Sequence, residues 1–319
     1  MATQAKGMKS STLFGFEDSY GTKQTAAAKV IKLPFNSNTL SSTQSLITPG
    51  TITGTRNPVQ PGLGQIDVSG NIVIPLCARN IGYLLKGVFG APTTSADASG
   101  KIYTHVFKLT EEQPSFTMEK GFNDIGKYTV YTGCKISKLQ FNAEVGNNET
   151  TVQADLMAAD ETIESATINA NAKMQPVFRF DNINATIKQG GNILGTGRKM
   201  SLDIDCGLDG DTYCLNGKST RPAINEGVMG LSGSLTTLFT GLDLLNLAIN
   251  GTETSLELLF KAGKFSLSLL LPEVQLQRKS PEISGSKGIT LDTEFQAFFS
   301  DDTQKSAIVA TLINDVASY

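Results

Sequence analysis

GQIDVSGNIV, residues 64–73, has a counterpart half a chain later in GVMGLSGSLT, residues 227–236. An arginine and a proline precede each stretch: Arg56 and Pro58 in RNPVQPG, Arg221 and Pro222 in RPAINEG. A helix-like apolar run ending in glycine follows each, ARNIGYLLKGVFG (78–90) and GLDLLNLAING (241–251). Glycine is common just past a helix C-terminus. Aligning Gly90 with Gly251 sets Leu84 on Leu245, Val88 on Ile249 and Thr93 on Thr254. Two readings stand: a chance likeness between generic β segments, or a duplication that puts two similar β domains in one chain. Order and spacing, more than residue identity, carry the second.

The flanking sequence is written mostly in strands. Ser137, Leu139, Phe141, Ala143 and Val145 share one face, and Lys138, Gln140, Asn142 and Glu144 the other, the period of a half-buried strand. GNNE (146–149) marks a turn, and Val152, Ala154 and Leu156 alternate with Thr151, Gln153 and Asp155 to complete a hairpin. In the second half Met200, Leu202, Ile204 and Cys206 alternate with Ser201, Asp203 and Asp205. Leu267, Leu269 and Leu271 continue the style until Pro272 shifts the apolar parity to Val274 and Leu276, which predicts a bulge or an edge. Ile289, Leu291, Phe295, Ala297 and Phe299 mark one more strand. The expected fold is mainly β: antiparallel β-sandwich or barrel domains with short flanking helices, duplicated within the chain. Three segments are expected: a polar arm over 1–63, a first β domain over 64–175 and a repeat-related one over 176–319.

Composition narrows the chemistry. A chain of 319 residues with 39% hydrophobic content can bury a core without disulfides or metal. With 27 basic and 30 acidic residues the net charge is −3, which argues against a groove built to grip nucleic acid. The opening MATQAKGMKSSTLFGF lacks the order of a secretory signal, and no apolar run reaches 18 residues, so no membrane helix is expected. Cys77, Cys134, Cys206 and Cys214 are then expected as free thiols in a reducing cytoplasm, although Cys206 and Cys214 are near enough to meet across a hairpin. The single histidine, His105, sits in a strand-like stretch and reads as structural. GGNILGTGRKMS (190–201) misses the phosphate-loop spacing, and DCGLDG (205–210) lacks the acidic twelfth ligand of a calcium loop. Asn148, Asn184 and Asn250 open N-x-T sequons that have no export route to use. No catalytic pair, cofactor site or metal site is expected.

Several stretches, taken in order, resemble the tail tube proteins of long-tailed bacteriophages. They are EDSYGT (17–22), LPFNSNTL (33–40), ITGTRNPVQPG (52–62), GQIDVSGNIVIPL (64–76), IGYLLKGVFGAPT (81–93), PSFTMEKGF (114–122) and the run from Tyr131 to Glu161. The resemblance covers roughly the first 160 residues and reaches the second half mainly through the repeat. It implies a structural virion protein, made in the host bacterial cytoplasm, whose rings stack into a hollow tube for genome delivery. The implied partners are further copies of itself, tail-tip (initiator) and terminator proteins, a tape measure protein during assembly, and DNA in transit without specific binding. If each half supplies a tube domain, three chains make a pseudo-sixfold ring; if the second half is decoration, six are needed. Ring closure is expected in the strands of 135–155, on Leu139, Phe141, Val145, Val152 and Leu156. Contact between rings is expected from 22–55, on Leu33, Phe35, Leu40 and Ile47.

The chief rival is a viral surface adhesin or receptor-binding β protein. It predicts aromatic or acidic binding loops, whereas aromatics are 7% with no tryptophan. An outer-membrane porin needs aromatic girdles, and a carbohydrate-active enzyme needs a carboxylate pair across a cleft; the sequence supplies neither.

Overall fold

The computed structural model describes residues 4–283, 285–299 and 303–319. In the first half the strands are β1 (Ser10–Phe16), β2 (Ile31–Leu33), β3 (Ser37–Asn38), β4 (Ser41–Ile47), β5 (Gly62–Pro75), β6 (Thr93–Ala96), β7 (Tyr103–Lys108), β8 (Phe116–Phe122), β9 (Lys127–Glu144), β10 (Thr151–Ala158) and β11 (Asp160–Glu164). In the second they are β12 (Ala185–Gln189), β13 (Asn192–Ile193), β14 (Gly197–Asp205), β15 (Gly230–Leu238), β16 (Thr254–Ala262), β17 (Phe265–Leu276), β18 (Thr290–Ala297) and β19 (Val309–Asn314). Helix α1 (Ile81–Phe89) follows β5 and α2 (Asp243–Asn250) follows β15. Among the described residues no helix is long and apolar enough to cross a membrane. The fold is mainly β and antiparallel, as the alternation predicts, and its sheet is not closed into a barrel.

One pairing order occurs twice. In the first half β4 pairs β5, β5 pairs β10 and β10 pairs the C-terminal part of β9; the N-terminal part of β9 pairs β8 and β11, and β8 pairs β1. In the second half β14 pairs β15, β15 pairs β18 and β18 pairs the end of β17; the start of β17 pairs β16 and β19, and β16 pairs β12. The registers agree as well. Leu156 lies between Gly70 and Ile136, and Phe295 lies between Gly233 and Leu276. The hairpin β6–β7 has no second-half counterpart and adds to the edge of β19.

The first-half and second-half sheets join directly. β9 pairs β14 from Lys199 opposite Glu144 to Asp205 opposite Lys138. The result is a long sheet in the order β4, β5, β10, β9, β14, β15, β18, β17. Val68, Ile72, Val152, Leu156, Leu139, Phe141, Met200, Leu202, Leu235 and Phe295 turn one face of it into a single connected core. Each of β9 and β17 leaves this sheet partway along and enters a smaller one behind it. The crossing falls at an irregular register in both: between Tyr131 and Cys134, where Gly133 takes φ 62°, and between Leu271 and Val274, at Pro272. The parity shift at Pro272 is therefore a bulge where one strand passes between two sheets.

The Ser-Gly step has a packing reason. A Cβ on Gly70 would lie 2.6 Å from the Leu40 Cα, and one on Gly233 would collide with the Ser201 carbonyl and the Phe295 ring. Both glycines let a neighbouring strand close in.

Residues 10–47, expected as part of an arm between rings, pair within the chain's own sheets. β1 pairs β8 from Ser10 opposite Phe122 to Phe16 opposite Phe116, so this segment completes the first small sheet. Leu33 and Leu40 are buried in the chain's own core, Phe35 packs against it, and Ile47 alone of the four is open, at 58% exposure. The helices also differ. Leu84 and Val88 of α1 are buried, covered in part by the Tyr319 ring lying on Gly82, while no residue of α2 is buried and Ile249 is exposed.

Gly233→Val is expected to destabilise the fold by about 1–3 kcal/mol through overpacking, read as a lower denaturation midpoint. Gly241→Ala, where a Cβ meets nothing within 4 Å, is expected to leave that midpoint within about 0.5 kcal/mol of the parent.

Candidate functional site: the polar face of the long sheet

The face of the long sheet turned away from the core is set by the period of two. β5 places Asp67, Ser69 and Asn71 on it, β10 places Gln153, Asp155 and Met157, and β9 places Lys138, Gln140, Asn142 and Glu144. β14 adds Lys199, Ser201, Asp203 and Asp205; β15 adds Ser232, Ser234 and Thr236; β18 adds Asp292, Glu294 and Gln296. Amides, hydroxyls and carboxylates dominate. The sequence predicts that this face is polar; the gathering of its acids from five strands needs the strand order, which no local pattern carries.

The two lysines are tied down at the junction of the halves. Lys138 Nζ lies 3.1 Å from Asp203 Oδ2, and Lys199 Nζ lies 3.4 Å from Glu144 Oε2. Gln140 donates to Asp203 Oδ1 at 3.1 Å, and the Ser201 and Ser234 hydroxyls meet at 2.7 Å. Ser69 donates to Asp67 at 2.9 Å, Gln153 to Asp155 at 2.9 Å and Thr236 to Asp292 at 2.6 Å. The side chains are held to one another, and with Asp155, Asp205, Asp292 and Glu294 beyond the two paired lysines the surface carries net negative charge. Such a face repels a phosphate backbone and offers it no counter-charge to settle on.

The second-half connection between β14 and β15 is pinned over the first half. Arg221 pairs with Asp67 and donates to the carbonyls of Val68 and Ala158 at 3.4 and 3.3 Å. Tyr213 donates to the Ile66 carbonyl at 2.7 Å, and Lys135 meets Glu226 at 2.6 Å. Burial lowers the affinity of Arg221 for its proton, the direction expected of a cation taken from water.

The residues singled out for ring closure lie inside the chain's own pairing. Leu139 and Phe141 of β9 and Val152 and Leu156 of β10 are buried, and each strand has a neighbour on both sides. Val145 falls just past β9 and is 67% exposed. His105 is buried; its ring meets the Val316 carbonyl at 2.9 Å and Thr94 at 2.8 Å, which fixes the C-terminal segment. The four cysteines are free, three of them buried and Cys214 exposed. Among the described residues no group of three or more His, Cys, Asp or Glu is placed to hold a metal.

A family profile described as phage tail tube protein matches residues 7–297 of this chain. No curated protein sequence matches it. The match spans nearly the whole chain and runs through both halves as far as β18, so the protein belongs to the phage tail tube protein family, a structural component of the phage tail that assembles into the tube.

Proposed function

We propose that three copies of this chain close one ring of the tube, each half of the chain supplying one of six equivalent tube domains, and that the acidic face of the long sheet lines the lumen through which DNA leaves the capsid. The observation that carries this reading is the pairing order that occurs twice with the same register. The two domains are then residues 10–164 and 185–314, and the first takes in β1 to β4 rather than beginning at residue 64.

Dimensions favour the same count. Each half gives four strands to the long sheet. Three copies make a barrel of 24 strands. At a spacing of ~4.8 Å and a tilt of ~40°, such a barrel is on the order of 45–50 Å across at the backbone. Inward side chains of about 5 Å leave roughly 35–40 Å, which admits a duplex about 20 Å wide with its water. Two copies leave roughly 20 Å by the same reasoning, too tight for hydrated DNA. Six copies with both halves in the wall would double the width, so a six-copy ring requires the second half to stand outside the wall.

Synthesis in the host bacterial cytoplasm, nucleation by tail-tip proteins, capping by a terminator and length control by a tape measure protein belong to the same proposal. DNA passes without specific binding.

Negative-stain electron microscopy with light scattering on the concentrated protein, seeded with tail-tip complex where needed, is expected to show stain-filled rings of three copies. Six copies per ring would make the second half an outer domain, and a monomer that persists with the nucleus would overturn the tube reading. Rings carrying Asp155→Lys, Asp292→Lys and Glu294→Lys are expected to retain duplex DNA at low salt, with each new phosphate contact steepening the log affinity against log salt slope by about 0.9. Parent rings are expected to retain none.

A further inference from the structure

Both ends of the long sheet are open. At one end β4 has β5 on its inner side and, among the described residues, no strand on its outer side, and Ser42 N–H, which points outward, donates to the Glu161 carboxylate at 3.2 Å. At the other end β17 leaves regular pairing after Leu276, and an exposed segment of 277–280 continues it past β18. An unpaired edge of this kind asks for a partner strand.

We propose that these two edges pair with each other between copies, in the register that β9 and β14 already use inside one chain. The proposal rests on the ring reading above and supplies its seam. The equivalences follow from shared partners. Ser41 lies opposite Ser69 and Asp203 lies opposite Ser232, and Ser69 and Ser232 precede the equivalent glycines; β3 and β4 therefore stand where β14 stands. Thr39 bonds Asn71 by its side chain and Ser201 bonds Ser234, at the same place in each half. Gln277 N–H donates to the Glu294 carbonyl at 2.8 Å, opposite the residue that matches Asp155, so Gln277 stands where Lys138 stands. Lys138 is opposite Asp205 in the internal seam, which sets Gln277 of one copy opposite Thr43 of the next and Arg278 opposite Ser42.

Charge agrees with that register. The internal seam sets two apolar residues, Ile204 and Leu139, opposite one another on the core side. The matching positions between copies are Ser42 and Arg278, and Glu161 already lies at Ser42. On docking, Ser42 N–H passes to the incoming backbone and Glu161 receives the Arg278 guanidinium. A buried apolar pair inside the chain becomes an ion pair between chains, which leaves each edge soluble before assembly.

The connection between β4 and β5 is the counterpart of the one that Arg221 pins onto the first half. It carries Ile52, 95% exposed in the single chain, and runs into Leu63 at the start of β5, 70% exposed. In the seam it lies over the second half of the next copy, where those side chains find cover.

The test uses the full chain with Cys214→Ser to remove the exposed thiol and Thr43→Cys with Gln277→Cys to report the seam; both positions are exposed, so folding is not at risk. Oxidised rings are expected to run as covalent species that stop at three chains, with Ser41→Cys/Gln277→Cys linking much less. A ladder that stops at six keeps the seam and removes the three-copy ring. Rings seen by microscopy with no interchain disulfide overturn the seam and leave the tube reading standing, and neither rings nor disulfide overturns both. As a second measurement, Arg278→Glu is expected to reduce ring yield at least tenfold, and adding Glu161→Arg to restore it; failure of the swap to rescue rings that otherwise form would remove the ion pair from the seam.

Discussion

The backbone of a strand has two edges, and each edge left without a partner is a row of hydrogen-bonding groups that water or another chain must satisfy. The pairing of β9 with β14 is where this chain answers that demand for itself. Lys138 to Glu144 run against Lys199 to Asp205, and without that contact the two halves would be separate sheets with four open edges. With it they share one long sheet and one connected core, and the demand is pushed out to β4 and β17. Those two edges are different surfaces, so the interface proposed between them is head-to-tail, and a head-to-tail interface builds a ring when its rotation closes.

The bent strands make that arrangement possible. β9 and β17 each serve two sheets, and the passage costs one irregular stretch apiece: Gly133 with its positive φ in the first half and Pro272 in the second. Different residues answer the same geometric need. A glycine accepts a conformation that a side chain would strain, and a proline tolerates the place where a ladder hydrogen bond is already lost. The likeness of the halves is therefore plainer in their pairing than in their letters.

That difference decides what could be read from the sequence. The half-buried strands were legible because alternation is local: Leu139 and Phe141, Val152 and Leu156, Leu267 to Leu271. The Ser-Gly steps were legible because only glycine suits a close strand approach on Gly70 and Gly233. The first 47 residues were not. β2 and β3 hold three and two residues, too few to show a period, and β1 pairs on one side with that short β2 and on the other with a strand more than a hundred residues away, at Phe122. Val145 continued the alternation on paper, yet the strand had ended at Glu144. α2 matched α1 in sequence but not in burial, because burial depends on what covers a helix. The acidic face was half legible: each strand announced a polar side, and none announced its neighbours.

A conduit for DNA has to satisfy two opposed requirements, and in the proposed ring the long sheet would meet both with one pattern. Its inner residues must hold the wall rigid, and its outer residues must hold nothing that passes. Alternation along β5, β10, β9, β14, β15 and β18 separates these roles residue by residue. Lysine is the side chain that would slow a phosphate backbone. The two lysines on this face, Lys138 and Lys199, are each spent on a carboxylate across the junction of the halves. They tie together the one seam the chain makes by itself, and each faces a carboxylate in place of a passing phosphate. The carboxylates of Asp155 and Asp292 are bonded by a neighbouring amide and hydroxyl, which fixes their direction without cancelling their charge. Repulsion from such a wall is long-ranged compared with a hydrogen bond, reaching about 8 Å at physiological salt. In the proposed ring a duplex centred in the lumen would be kept off the wall on all sides, and the same charges that oppose binding would keep the passage clear.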